Sequence, residues 1–320
     1  MCKSLHSIRV FLDPSCLYAY DTRCSPYNFQ NIPVQREQGN KLNRASLQLL
    51  EQDPQYSDIR TYVTTIEGCE AHPSLTVRIY EPVFTEKPVP AVLFLHGGGC
   101  IFGCCDSHPD YGFRFAKHIG CQVIVPEYRL APEHPFPAGL LDCYAALKWM
   151  DRSPGIDSTR IAVCGLSGGG CLCAALALYV RDHGGPRIRL QLPLYPMLDH
   201  RGTDSSRYIQ DPKVWCDQYN QETWRLYLGS DEANVNQYAS PALAEDLSGL
   251  PAAFTFIGTL DPFLDETTAY FHKLATSGVP AEIQCYPNCF HGFELTCPET
   301  DAAQQAIHRT LAVLSEAFAI

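Results

Sequence analysis

No apolar run in the 320-residue chain is long enough to span a bilayer, which excludes a single helical membrane anchor. The first residues, Met1-Cys2-Lys3-Ser4-Leu5-His6-Ser7-Ile8-Arg9, lack the long apolar stretch of a secretory signal. The expected compartment is therefore the cytosol. Positive charge is in short supply, with 24 Lys and Arg against 35 Asp and Glu and a formal net charge of -11. Such a surface repels phosphate backbones and anionic lipid, so neither nucleic acid nor a membrane is an expected partner. The GxxxxGK[ST] pattern is missing and neither glycine cluster has GxGxxG spacing, which removes the common nucleotide-binding loops. Cysteine is plentiful, at 16 residues, yet no Cys-x-x-Cys pair occurs. The most ligand-like cluster is Cys285, Cys289, His291 and Cys297, and Cys285 falls in a strand-like run. No metal or other cofactor is expected, and most cysteines read as small buried hydrophobes in a reducing compartment.

The remaining composition is that of a globular protein, with 46% hydrophobic and 18% charged residues. The length suits one large α/β domain or two small ones. Up to about residue 55 no clean period appears, although Lys41 to Leu50 has the spacing of an amphipathic helix. Arg60 to Thr65 and Leu75 to Tyr80 alternate as an antiparallel edge pair would. Ala91 to Leu95 is an unbroken apolar strand pattern, buried on both faces. Strand and helix patterns then alternate. Helices are expected over Asp106 to His118, Gly139 to Asp151, Asp265 to Ser277 and Asp301 to Phe318. Strands are expected over Cys121 to Val125, Arg160 to Cys164, Leu190 to Leu194, Ala252 to Gly258 and Ala281 to Tyr286, with Pro193 weakening the third. Such alternation implies a mostly parallel sheet covered on both faces, with the active site beyond the carboxyl ends of its strands. Asp199 to Ala239 breaks the rhythm and is long enough to carry helices of its own.

The chemistry gathers around Gly165-Leu166-Ser167-Gly168-Gly169, between a short β-branched run and an apolar helical run. Strand, tight turn and helix with a serine at the apex is the setting of a nucleophile elbow. Chance alone produces G-x-S-x-G roughly 0.1 times in a chain of this length, so the neighbouring residues must decide. A serine hydroxyl needs a base. Of the 11 histidines, His291 is the best candidate because it follows the last expected strand, with His200 next. The imidazole needs a carboxylate to hold its tautomer. Asp261 follows the strand ending at Gly258, Asp199 follows the strand ending at Leu194, and Asp265 suits a helix N-cap. The order Ser167, Asp261, His291 is that of α/β-hydrolases. An oxyanion also needs donors, and His96-Gly97-Gly98-Gly99 after a buried strand offers unobstructed backbone N–H groups, with Gly168 as partner. A chance HGGG is expected only about 0.004 times.

With these residues the chain resembles the hormone-sensitive-lipase-like family of α/β-hydrolases, which includes bacterial short-chain esterases and arylacetamide deacetylase. The matching segments are His96 to Gly99 with Gly103, Tyr128 to Ala138, Gly165 to Gly169, Asp261 to Glu266, and Phe290-His291-Gly292-Phe293. The resemblance covers most of the chain from about residue 75. It implies an α/β-hydrolase fold, a mostly parallel sheet with helices on both faces and a helical cap. It assigns Ser167, Asp261 and His291 as a triad, settling Asp261 over Asp199, and Gly97, Gly98 and Gly168 as an oxyanion hole. The implied layout is a cap segment at 1–55, core at 56–198, a cap insert at 199–239 and core again at 240–320. Relatives most often carry Asp before the nucleophile and Ala after it. Leu166 here removes a carboxylate, and Gly168 is expected to loosen the elbow.

The leading expectation is a serine-dependent hydrolase of short-chain carboxylic esters, a small-molecule enzyme without cofactor. A catalytically silent small-molecule-binding homologue, or an amidase or acyltransferase on the same triad, stands as the alternative. A metal-dependent hydrolase is the weakest reading. Dimers are frequent among relatives, so a homodimer is an expectation from the resemblance alone. Phe11, Tyr18, Phe29, Trp215, Tyr219 and Trp224 are the aromatics expected to roof the pocket or to fill the cap's own core.

Overall fold

The computed structural model describes residues 5–230 and 235–319. Its centre is one sheet in the order β1-β2-β4-β3-β5-β6-β7-β8. The strands are β1 (Ile59–Cys69), β2 (His72–Pro82), β3 (Val89–Leu95), β4 (Gln122–Pro126), β5 (Ile156–Leu166), β6 (Leu190–Leu194), β7 (Ala252–Leu260) and β8 (Ala281–Phe290). β2 runs antiparallel to β1 and β4, and every other pairing is parallel. Successive residues of a strand point to opposite faces. Val92 to Leu95 and Ile161 to Cys164 are all fully buried, so both faces at the centre are covered.

The helices are α1 (Leu17–Arg23), α2 (Ile32–Glu51), α3 (Pro109–Ile119), α4 (Ala138–Arg152), α5 (Gly168–His183), α6 (Asp204–Tyr208), α7 (Asp217–Leu228), α8 (Leu264–Thr276), α9 (Phe293–Thr296) and α10 (Asp301–Phe318). α3 and α10 pack together against the sheet, as do α4 and α5. Among the described residues no helix is long and apolar enough to cross a membrane.

Several boundaries differ from the sequence reading. The helix expected at Lys41 to Leu50 begins at Ile32, where the Asn31 side chain accepts from Val34 N at 3.2 Å and Pro33 occupies the first turn. The polar run Gln35 to Asn40 concealed its first half. α3 starts at Pro109 rather than Asp106, because a residue preceding proline is driven out of the helical region. Pro193 sits inside β6 after all. β6 pairs with β7 only at Leu190 and Gln191, so the missing N–H costs no ladder bond on that side.

The stretch 199–239 contains α6 and α7, with residues 231–234 of it outside the described part. Likewise Met1 to Ser4 of the expected N-terminal cap segment and signal reading lie outside. The N-terminal segment and the insert are tied through the buried Asp211 carboxylate, which accepts from Ile8 N at 2.9 Å and the Tyr20 hydroxyl at 2.6 Å. α2 is held on the core by Arg36, which donates to Ile101 O, Ala131 O and the Glu133 carboxylate.

All described cysteines except Cys24, Cys69 and Cys285 are buried, and none is disulfide-bonded. The suspected cluster at 285–297 is dispersed. Cys285 is exposed, while Cys289 and Cys297 lie in the core with Cys16. Among the described residues no group of His, Cys, Asp or Glu is arranged to hold a metal ion.

Candidate active site

β5 ends at Leu166 and α5 begins at Gly168, leaving Ser167 alone at the turn with φ 54° and ψ -114°. A non-glycine residue held there is strained, and its neighbours must keep it in place. Ser167 N donates to Leu194 O at 3.0 Å, and Ser167 O accepts from Met197 N and Cys171 N. Glycine is required at 169, where a Cβ would stand 2.1 Å from Leu95 O. The turn thus sits hard against the end of β3.

The same sheet edge supplies the other groups. A register shift near Gly258 brings Leu260 opposite Phe290, so β8 runs four residues beyond the expected Tyr286. The next residues on these neighbouring parallel strands are Asp261 and His291. Nδ1 of His291 lies 2.8 Å from Asp261 Oδ2. With the proton on Nδ1 donated to that carboxylate, Nε2 is left to accept from the Ser167 hydroxyl at 2.9 Å. Asp261 is buried, and its second oxygen accepts from Phe263 N at 2.9 Å. Phe263 and Tyr195 stand edge-on to the imidazole at 5.0 and 5.1 Å, and Trp215 covers it at 6.2 Å.

The rival residues are engaged elsewhere. Burial pushes the Asp199 carboxyl up, but the Arg201 guanidinium and backbone N–H hold it below the ordinary carboxylate range. His200 lies against Ser240 Oγ at 3.0 Å. Asp265 is no N-cap. It lies in the first turn of α8, accepts from Ser205 N and anchors α6.

The glycine loop after β3 is supported from below. Burial drives the His96 imidazole down to about 3, against the pull of the Gly97 carbonyl, so it stays neutral. Its Nδ1 lies 2.9 Å from Gly97 O, and its ring stacks on Tyr128 at 4.1 Å. The Tyr128 hydroxyl donates to His96 O at 2.7 Å. Arg129 next to it is clamped by the buried Asp142 carboxylate. The Tyr128 to Ala138 segment therefore props the loop.

Gly97 and Gly98 line a cavity of about 130 Å³ together with Ser167, His291, Tyr195 and Trp215. Gly168 opens α5 on the same side, and first-turn N–H groups have no acceptor within the helix. A Cβ at 168 would stand 2.6 Å from Gly99 Cα and 2.8 Å from Cys100 N, so the glycine is there because the loop comes too close for anything larger. Of the aromatics expected as a roof, only Trp215 lines this cavity, joined by Tyr27. Phe11 and Tyr18 are exposed, Phe29 stacks on Tyr219, and Trp224 packs against Tyr227. Sequence reasoning passed over Tyr195, Tyr27 and His108 because none belongs to a motif. Only the fold shows that they face Ser167.

A parallel sheet with a strained serine between strand and helix at its carboxyl edge defines the class, an α/β-hydrolase. Residues 92–295 match the family model described as alpha/beta hydrolase fold. The chain is 34% identical over 291 residues to Carboxylesterase NlhH of Mycobacterium tuberculosis, covering 88% of this chain and 90% of that one. It is 31% identical over 259 residues to an Arylesterase of Saccharolobus solfataricus, covering 79% and 80%. A solved structure described as Bacterial Heroin Esterase superposes with a TM-score of 0.89 at 31% identity, over 98% of this chain and all of that one. Esterase LipW from Mycobacterium marinum does so with a TM-score of 0.89 at 29% identity over the whole of both chains. The chain belongs to the α/β-hydrolase family, in its hormone-sensitive-lipase-like branch of esterases.

Proposed function

We propose that this carboxylic ester hydrolase works through Ser167, His291 and Asp261, with the N–H groups of Gly97, Gly98 and Gly168 as its oxyanion hole. The observation that carries the reading is the relay of 2.9 and 2.8 Å contacts joining three side chains from distant segments, with Ser167 and His291 lining one cavity and Asp261 buried behind them. Ser167 Oγ attacks the ester carbonyl while His291 Nε2 takes its proton. Asp261 holds the ring and stabilises the imidazolium. The carbonyl oxygen becomes an oxyanion facing the glycine N–H groups. His291 then returns the proton to the departing alcohol, and a water activated by the same base releases the acid.

A merely binding homologue has no use for this relay, and its strained serine would persist without function. The segments 1–55 and 199–239 act as the cap, and the small cavity suits short acyl groups. Assay of p-nitrophenyl esters from acetate to palmitate, with wild type and Ser167→Ala side by side, tests the reading. Turnover of the short esters that disappears in the variant supports it. Equal turnover in both overturns it.

A further inference from the structure

The cavity beside Ser167 adjoins a second, of about 170 Å³, and the two share Tyr27, Gly97, Gly98 and His108 as walls. Neither Ser167 nor His291 borders the second cavity. That decides which half of an ester it receives. A collapsing tetrahedral adduct takes the proton for its leaving oxygen from His291, so the alcohol must lie within hydrogen-bond reach of Nε2. A further cavity of about 190 Å³ lies on that side, bordered by His291, Trp215 and Lys213. On the triad reading this leaves the acyl group the side of the glycine loop, where Gly97 and Gly98 border both of the first two cavities. Resting on the triad reading, we propose that the second cavity is an acyl subsite for short acyl groups bearing an uncharged hydrogen-bonding substituent, a hydroxyl or an amide.

Its lining has that chemistry. The Asn40 side-chain oxygen is buried with no hydrogen-bond partner among the described residues. His108 is held left-handed at φ 53° ahead of Pro109. Its Nε2 reaches within 3.4 Å of where a Gly97 Cβ would stand. Burial drives the His108 imidazole down to about 4, so the ring is neutral and offers one donor and one acceptor. Asn43 Nδ2 donates to Ser107 Oγ at 2.9 Å and fixes the wall between them. The nearby positive charge is already committed. Arg36 donates at 2.6 Å to Ile101 O and Ala131 O and at 2.9 Å to both Glu133 oxygens. A carboxylate on the acyl chain finds no open cation here. An alkyl chain leaves the buried Asn40 oxygen without a partner and strips water from His108, whereas a hydroxyl both donates and accepts.

The test uses two isosteric pairs, with kcat/KM followed by proton release. Methyl 3-hydroxybutanoate and methyl 3-methylbutanoate exchange a hydroxyl for a methyl on the acyl side. The 2-hydroxypropyl and isobutyl esters of butanoic acid make the same exchange on the alcohol side. Wild type should favour the hydroxylated acyl ester by at least about fivefold. The alcohol-side pair should show no such preference. Asn40→Leu and His108→Leu should each bring the acyl-side ratio to one or below. A ratio within one variant does not depend on how much of it folds, so poor expression leaves the result readable. A wild-type acyl-side ratio near one, or a preference confined to the alcohol side, overturns the subsite while ester hydrolysis stands. If wild type cleaves none of the four esters and a fluorophosphonate leaves Ser167 unlabelled, the triad reading is what has failed, and the subsite falls with it.

Discussion

The Tyr195 hydroxyl donates to the carboxyl of Glu294, a fully buried group three residues beyond His291. The same oxygen of Glu294 accepts from Tyr111 at 3.2 Å, and its other oxygen has no partner among the described residues. Tyr195 meanwhile stands edge-on to the imidazole at 85° and is itself held at a φ of 35°. A second carboxyl thus fixes the ring that stands against the His291 imidazole.

This relationship has a pH signature. Burial pushes the Glu294 carboxyl from 4.5 up to about 7, although the Tyr195 hydrogen bond pulls it down. A carboxyl that binds its proton more tightly when folded contributes stability fully present below about 4.5 and lost as pH rises through about 7. Glu294→Gln keeps an acceptor for both tyrosines and cannot ionise. The variant should therefore gain on wild type by on the order of 3 kcal/mol between these limits. Urea unfolding of both proteins near pH 5 and near pH 8 measures it. The same difference at both values would refute the assignment.

Replacing the proposed triad residues should separate them from their rivals. Ser167→Ala and His291→Ala should each remove several powers of ten in kcat, since the two act as a unit, and Asp261→Asn somewhat less. Asp199→Asn should cost less than about tenfold, because its carboxylate is bound to Arg201. More than about a tenth of wild-type turnover in Ser167→Ala, or a worse lesion at 199 than at 261, would sink the triad.

Much of the candidate site was legible in the sequence because the proposed triad residues sit at chain positions that a parallel sheet brings together. Ser167, Asp261 and His291 each follow directly on a strand, and apolar strand runs can be read without a structure. What escaped depends on contacts between segments. Tyr195 has no motif around it, and Glu294 reads as an ordinary charged residue until its burial is seen. The first half of α2, which carries Asn40, is too polar to show a helical period. What stands against Gly168 escaped for the same reason, since local sequence reports freedom of the chain and not what lies opposite.

The close approach at Gly168 yields a prediction. Every atom a Cβ at 168 would strike is backbone: Gly99 Cα at 2.6 Å, Gly99 N at 2.7 Å and Cys100 N at 2.8 Å. Backbone cannot swing aside as the end of a side chain can, so Gly168→Ala must shift the glycine loop against the elbow. It should cost about 1–3 kcal/mol of stability. It should also lower kcat by at least about tenfold, because oxyanion donors act only when aimed. Thermal unfolding and kcat on p-nitrophenyl acetate, measured together, would show it. An alanine variant with wild-type kcat would mean that the loop is free to retreat.

Acyl length gives the last test. The cavity at Ser167 holds about 130 Å³ and is walled in part by Tyr27, Tyr195 and Trp215. Trp215 is buried and wedged edge-on against Tyr27 at 5.2 Å, so this wall is packed and does not hang open like a lid. Each methylene added within such a space gains up to about 0.8 kcal/mol, and once the space is full the next one strains its walls. The 170 Å³ beyond the glycine loop extends the acyl side by only a few carbons, and its polar lining does not reward a long chain. Among unsubstituted p-nitrophenyl esters, kcat/KM should therefore peak between acetate and hexanoate and fall steeply by decanoate. Emulsified substrate should bring no jump in rate, because an interfacial enzyme needs a broad apolar surface around its site. A preference for palmitate over butyrate, or strong activation at an oil surface, would show that the N-terminal segment and α7 part far more widely than the stacking of Phe29 on Tyr219 indicates.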